Sequence, residues 1–238
     1  MISQIREPLS KIVQPLIIFF AKLGIHPTVF TILGLLLSIT SAVFIALDNF
    51  LVAFIIIWFA GAMDFVDGGV ARYNNLASKK GSFIDSIADR FSDVSVFSAV
   101  VFRTIYIHFS PKYADLNLRF DYFTFGAGII MVTSTLLISY IRAKGESIGI
   151  EKMAVGIMER GERFMVLMLL MFIGILVPDR GFTLPPAGGM MWELGISYFS
   201  IGYMILTLLS VITVIQRFVH VSVQLNEAET TEDVQVQK

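Results

Sequence analysis

The chain has 238 residues, is 55% hydrophobic and only 16% charged, and has a mean hydropathy of +0.76. This balance excludes an ordinary soluble domain and makes lipid the natural solvent. A formal net charge of -1 and a pI near 6.3 give no basic field for nucleic acid, and the absence of cysteine excludes disulfides, thiolate nucleophiles and Cys-based zinc sites.

Taken in chain order, the amino terminus is a poor secretory signal, because Arg6, Glu7, Lys11 and Lys22 interrupt it. Ile5, Leu9, Ile12, Val13, Leu16, Ile17 and Phe20 recur at helical spacing. Residues 1–24 are therefore expected to form an amphipathic helix in the membrane interface, with a helix packed on the bundle as the alternative. A membrane helix needs about 20 mostly apolar residues to cross roughly 30 Å of hydrocarbon, and six segments qualify. They run from about Thr28 to Ala46, Phe50 to Arg72, Ser82 to His108, Phe120 to Ile141, Ile157 to Val177 and Leu194 to Val219. Pro27, Pro111, Pro178, Pro185 and Pro186 fall in or beside the breaks. The expectation is an all-α polytopic membrane protein with a six-helix domain over 25–222 and a disordered polar tail over 223–238. Lys and Arg gather near the amino terminus, at Lys79-Lys80, between Arg142 and Arg163 and in the tail, which predicts that these regions and both termini are cytoplasmic.

The second span ends in Asp64-Phe-Val-Asp67-Gly68-Gly69-Val70-Ala71-Arg72, and the third begins with Gly81-Ser-Phe-Ile-Asp85-Ser-Ile-Ala-Asp89. Spacings of three and four put each aspartate pair on one helix face. Four carboxylates at a membrane boundary repel one another, a cost that divalent cations remove. Oxygen donors without nearby His or Cys point to Mg²⁺ or Mn²⁺, and four carboxylates suffice for two ions that could clamp a diphosphate. Gly68, Gly69 and Ala71 suit close approach of a ligand, or else helix packing; Arg72 suits a phosphate, or else neutralises an aspartate. His26, His108 and His220 are scattered and offer no metal site.

The order D-x-x-D-G-x-x-A-R, eight residues, G-x-x-x-D-x-x-x-D resembles the signature of the CDP-alcohol phosphotransferases without departure or gap. The six-span layout extends the resemblance over most of the chain. It implies transfer of a phosphatidyl-type group from a CDP-lipid to an alcohol, with release of CMP. Asp64, Asp67, Asp85 and Asp89 would hold the metal, and Asp89 would also serve as base toward the acceptor hydroxyl. Pro27, Thr28, Val29, Phe30, Gly68, Ala71, Arg72 and Ser78 would meet the CDP-lipid, and the protein would be a homodimer in the cell membrane.

Ser139-Tyr-Ile-Arg142-Ala-Lys144-Gly-Glu146, Glu159-Arg160-Gly-Glu162-Arg163 and Gln216-Arg217 are similar to strings of the branch that makes inositol phosphate lipids. That resemblance implies inositol 1-phosphate as acceptor and CDP-archaeol or CDP-diacylglycerol as donor. Arg142, Lys144, Arg160, Arg163 and Arg217 would bind the acceptor phosphate; positive-inside bias alone would also place basic residues here. Other acceptors, such as glycerol 3-phosphate or serine, fit the same chemistry. A cation-coupled transporter is a distinct alternative, although the acids sit at one edge and no repeat is visible.

Overall fold

The computed structural model describes residues 14–112, 121–150, 153, 155–177, 182–184 and 194–236. They form helices α1 (residues 14–22), α2 (Pro27–Ala46), α3 (Phe50–Tyr73), α4 (Lys79–Phe109), α5 (Tyr122–Ser147), α6 (Arg160–Leu176) and α7 (Tyr198–Val236). Two short strands, β1 (Phe182–Leu184) and β2 (Leu194–Ile196), pair antiparallel with Thr183 opposite Gly195. The chain divides into two compact units, residues 1–99 and 100–238.

In the first unit, Pro27 occupies the first turn of α2, where its missing N–H costs nothing. Asn49 caps α3 by accepting from the Val52 N–H. Residues 47–49 reverse the chain, with Asp48 in the left-handed region at φ 56. The resulting α2–α3 hairpin is tied by a Ser41 hydroxyl that donates to the Ala53 carbonyl at 2.9 Å. Ala21, Phe30, Val66 and Val70 form a buried cluster with Ile17, Phe20, Ile25 and Met63 packed against it. Rings of Phe20 and Phe30 meet edge to face at 5.0 Å. The described part of α1 thus packs on α2 and α3, while Leu16, Phe19 and Leu23 point outward. Residues 1–13 of the expected interfacial helix lie outside the described residues. Gly69 permits this contact: a Cβ there would lie 2.4 Å from Ile17 Cδ1.

In the second unit, α5 and α6 each pack on α7. Asp121 caps α5, accepting from the Thr124 N–H at 2.9 Å and the Thr124 hydroxyl at 2.7 Å. It also accepts from the Ser200 hydroxyl and so joins the starts of α5 and α7. Further along, Thr207 donates to the Ala127 carbonyl at 3.3 Å across the same pair of helices.

Among the described residues, four helices are long and apolar enough to cross a membrane: α2, α3, α5 and α7 as far as Glu227. Their exposed surface is rich in Leu, Ile, Val and Phe, the pattern of a chain whose solvent is lipid. The two remaining expected spans are helices of a different character. Lys79, Lys80, Asp85, Asp89, Arg90 and Asp93 crowd the amino-terminal half of α4. At 17 residues, α6 is about 26 Å long, and it starts at Arg160 rather than near Ile157. The sixth segment differs at both ends. Leu194 is in β2 and the helix begins at Tyr198. At the other end, residues expected as a polar tail continue α7 to Val236, since 223–236 hold no Gly or Pro and several strong helix formers.

Candidate metal and substrate site

Residues 74–78 turn the chain from α3 into α4. Asn75 takes a left-handed conformation at φ 55, and the Asn74 side-chain amide donates to the Ala21 carbonyl at 3.2 Å, tying the turn to α1. Ser78 accepts from the Gly81 N–H at 3.1 Å and caps α4. These local features reverse the chain so that the end of α3 faces the start of α4.

One carboxylate oxygen from each of Asp64, Asp67 and Asp85 lies within 4.8 Å of the others. Asp64 is exposed, Asp85 half-buried and Asp67 only 7% exposed. Asp89 lies one turn further along α4 and is half-buried, outside that three-residue group. The donors are all hard oxygens, a set that suits a divalent cation of the Mg²⁺, Mn²⁺ or Ca²⁺ type. Three acids this close, one of them buried, are electrostatically costly without a cation. Their juxtaposition therefore fits the metal expected from the motif.

Thr31 was not anticipated. Its hydroxyl donates to Asp67 Oδ2 at 2.7 Å, fixing the buried carboxylate from α2. Its sequence signal is slight: a hydroxyl one helical turn after Pro27, with nothing local to show which helix it faces. Its neighbours are placed differently. Pro27 and Phe30 are buried, with Phe30 in the core cluster, whereas Val29 points outward. On α3, the Arg72 guanidinium lies over Gly68, with Nη1 3.5 Å from where a Cβ would stand. Arg72 and Ser78 are both exposed and Ala71 is half-buried.

The expected acceptor-binding residues of the second unit lie near the end of α5, at the start of α6 and midway along α7. Arg142 is exposed and pairs with Glu146 at 2.9 Å, and Lys144 is exposed beside it. Arg160 opens α6 and lies over the Phe164 ring at 5.5 Å. Arg163 is 1% exposed and donates to the Met158 carbonyl at 3.1 Å. Arg217 is 3% exposed and donates from Nε to the Val155 carbonyl at 2.8 Å and from Nη1 to the Ile138 carbonyl at 2.9 Å. Its guanidinium therefore ties together α5, the segment before α6, and α7.

Comparison with known proteins agrees with this geometry. The chain is 30% identical over 166 residues to the archaetidylinositol phosphate synthase of Pyrococcus horikoshii, covering 70% of this chain and 77% of that one. The crystal structure of Mycobacterium tuberculosis phosphatidylinositol phosphate synthase with CDP-DAG bound is similar at a TM-score of 0.67 and 27% identity, over 89% of this chain and 94% of that one. The same enzyme in complex with manganese and citrate gives a TM-score of 0.65 at 27% identity, over 87% of each chain. The family profile described as CDP-alcohol phosphatidyltransferase matches residues 24–221. A cation-coupled transporter is not favoured by these relationships. With the acidic cluster, the apolar helices and a family match over most of its length, this chain belongs to the CDP-alcohol phosphatidyltransferases and is a membrane enzyme of phospholipid biosynthesis.

Proposed function

We propose that the enzyme transfers the phosphatidyl-type group of CDP-archaeol or CDP-diacylglycerol to inositol 1-phosphate with Mg²⁺, releasing CMP. The observation that carries this reading is that Arg217, within α7, bonds the carbonyls of Ile138 on α5 and Val155 before α6, joining the three elements that carry the arginines. The names of the relatives in Pyrococcus and Mycobacterium support the same acceptor. Arg142, Lys144, Arg160, Arg163 and Arg217 form the acceptor-phosphate site. An arginine carries five N–H donors, so one guanidinium can bind backbone carbonyls and still serve an anion.

Asp64, Asp67, Asp85 and Asp89 would hold the ions. Bound Mg²⁺ supplies Lewis-acid polarisation of the diphosphate and charge neutralisation for the departing phosphate. Pro27, Thr28, Val29, Phe30, Gly68, Ala71, Arg72 and Ser78 form the CDP-lipid site, in which Arg72 donates hydrogen bonds to the diphosphate. Asp89 accepts the proton of the acceptor hydroxyl as its oxygen attacks the lipid-side phosphorus. The bond from that phosphorus to the bridging oxygen breaks, and CMP leaves with the electron pair. The nucleophile is the acceptor, so no protein side chain is acylated or phosphorylated.

The test is CMP release by the purified protein with Mg²⁺ and each CDP-lipid, comparing inositol 1-phosphate with glycerol 3-phosphate, serine and free inositol. Selective release with inositol 1-phosphate supports the reading. Release with another acceptor instead overturns the acceptor assignment while retaining the family chemistry.

A further inference from the structure

Residues 155–159 precede α6 without forming helix or strand, so their backbone groups must find other partners. For the Val155 carbonyl and the Ile157 and Met158 N–H groups, those partners come from one face of α7. The Ile157 N–H donates to Gln216 Oε1 at 3.1 Å, and the Met158 N–H donates to Thr213 Oγ1 at 3.0 Å. Thr213 in turn donates its own hydroxyl proton to the Leu209 carbonyl at 2.9 Å. With the proton committed to its own helix, the hydroxyl offers its lone pairs to the segment. Spacings of three and four residues place Thr213, Gln216 and Arg217 on one helical surface, and Arg217 grips the Val155 carbonyl.

The fit requires glycine at one position. Gly156 has φ +128, and a Cβ there would lie 2.4 Å from Thr213 Cγ2. Immediately downstream, Glu162 accepts from the Glu159 N–H at 2.9 Å, half of a capping box that starts α6 with Arg160 at its first position. Backbone groups of Val155, Ile157, Met158 and Glu159 are thus each held by a side chain, directly before Arg160 opens α6.

We infer that Thr213 and Gln216 are positioning residues for acceptor recognition: by holding the N–H groups of Ile157 and Met158, they set where Arg160 and the start of α6 stand. This inference rests on the proposed role of Arg142, Lys144, Arg160, Arg163 and Arg217 in binding a phosphorylated acceptor. Neither residue touches the acceptor. Loss of either bond lets the segment shift and degrades acceptor binding, while the chemistry of the aspartates is unchanged.

Four variants of the full-length protein test this, with KM for each substrate, kcat and thermal midpoint measured by CMP release and by unfolding in detergent. Thr213→Val and Gln216→Met remove the accepting oxygen at similar size; Thr213→Ser and Gln216→Glu retain it. Thr213→Val and Gln216→Met should raise the KM for the acceptor by roughly tenfold, leave the KM for CDP-lipid within about twofold, and be rescued by the conservative partners. The kinetics use whichever phosphorylated acceptor the wild type selects. A wild type that prefers glycerol 3-phosphate therefore overturns the inositol reading, yet the same KM split would still support the positioning role. Equal changes in both KM values, unchanged acceptor KM, or a wild type that selects an acceptor without phosphate would overturn the positioning role. Should Thr213→Val fail to fold, Gln216→Met decides, because its bond lies at the exposed side of the segment.

Discussion

Asp67 is the most buried member of the three-acid group, and it takes a hydrogen bond from Thr31 on a different helix. Outer partners of this kind orient a metal-binding carboxylate, and their loss typically costs about 10- to 100-fold in metal affinity. Thr31→Val should therefore raise the Mg²⁺ concentration for half-maximal CMP release by roughly tenfold with little effect on maximal rate, as a metal titration would show. Asp89→Asn should abolish transfer while the protein still folds and inserts. Substantial turnover by that variant at saturating Mg²⁺ would remove Asp89 from the role of base. At this scale the aspartates were legible because their spacing is local, with Asp64 and Asp67 one turn apart on α3. Thr31 was not legible, because its partner is 36 residues away and only the packing of α2 on α3 brings them together.

At the level of elements, Asp121 links two helices that sequence alone treats separately. It caps α5 through the Thr124 N–H and accepts from Ser200 near the start of α7. Losing a cap costs about 1 kcal/mol, and orphaning buried hydroxyls adds about 1–3 kcal/mol. Asp121→Ala should lower the thermal midpoint in detergent by several degrees while leaving both KM values near wild type. A matching loss of acceptor affinity would contradict this purely structural assignment. Helix starts were readable where an isolated signal marks them, as at Pro27 and Asn49. The start of the last helix was not, because Leu194–Ile196 is as apolar as the helix that follows and pairs as a strand with Phe182–Leu184. Hydropathy cannot separate these two conformations in so short a run.

For the molecule as a whole, the distribution of basic residues predicts one membrane orientation. The chain contains no cysteine, so single introduced cysteines report sidedness without background. Ser147→Cys should react with an impermeant maleimide only from the cytoplasmic side, and Ser110→Cys only from the opposite side. Reversal of the two would overturn the expectation that both termini, Lys79-Lys80 and the Arg142–Arg163 region are cytoplasmic. The proposed homodimer is checked by the mass of the detergent-solubilised protein after subtraction of bound detergent. A monomer with full activity would exclude dimerisation as a requirement.

The sequence by itself determined the lipid solvent, the helical class, the family signature and the three acids that cluster, Asp64, Asp67 and Asp85, although it also expected Asp89 among them. Each is expressed in composition or in spacings shorter than a few helical turns, where backbone geometry leaves little freedom. Tertiary structure decided which hydroxyl steadies Asp67, that Arg217 holds the carbonyls of Ile138 and Val155, and that α7 supplies the partners of the Ile157 and Met158 N–H groups before α6. These depend on how each helix is rotated about its axis and which residues meet at the crossings. Side-chain packing and the need to pair buried polar groups fix those choices across long stretches of chain.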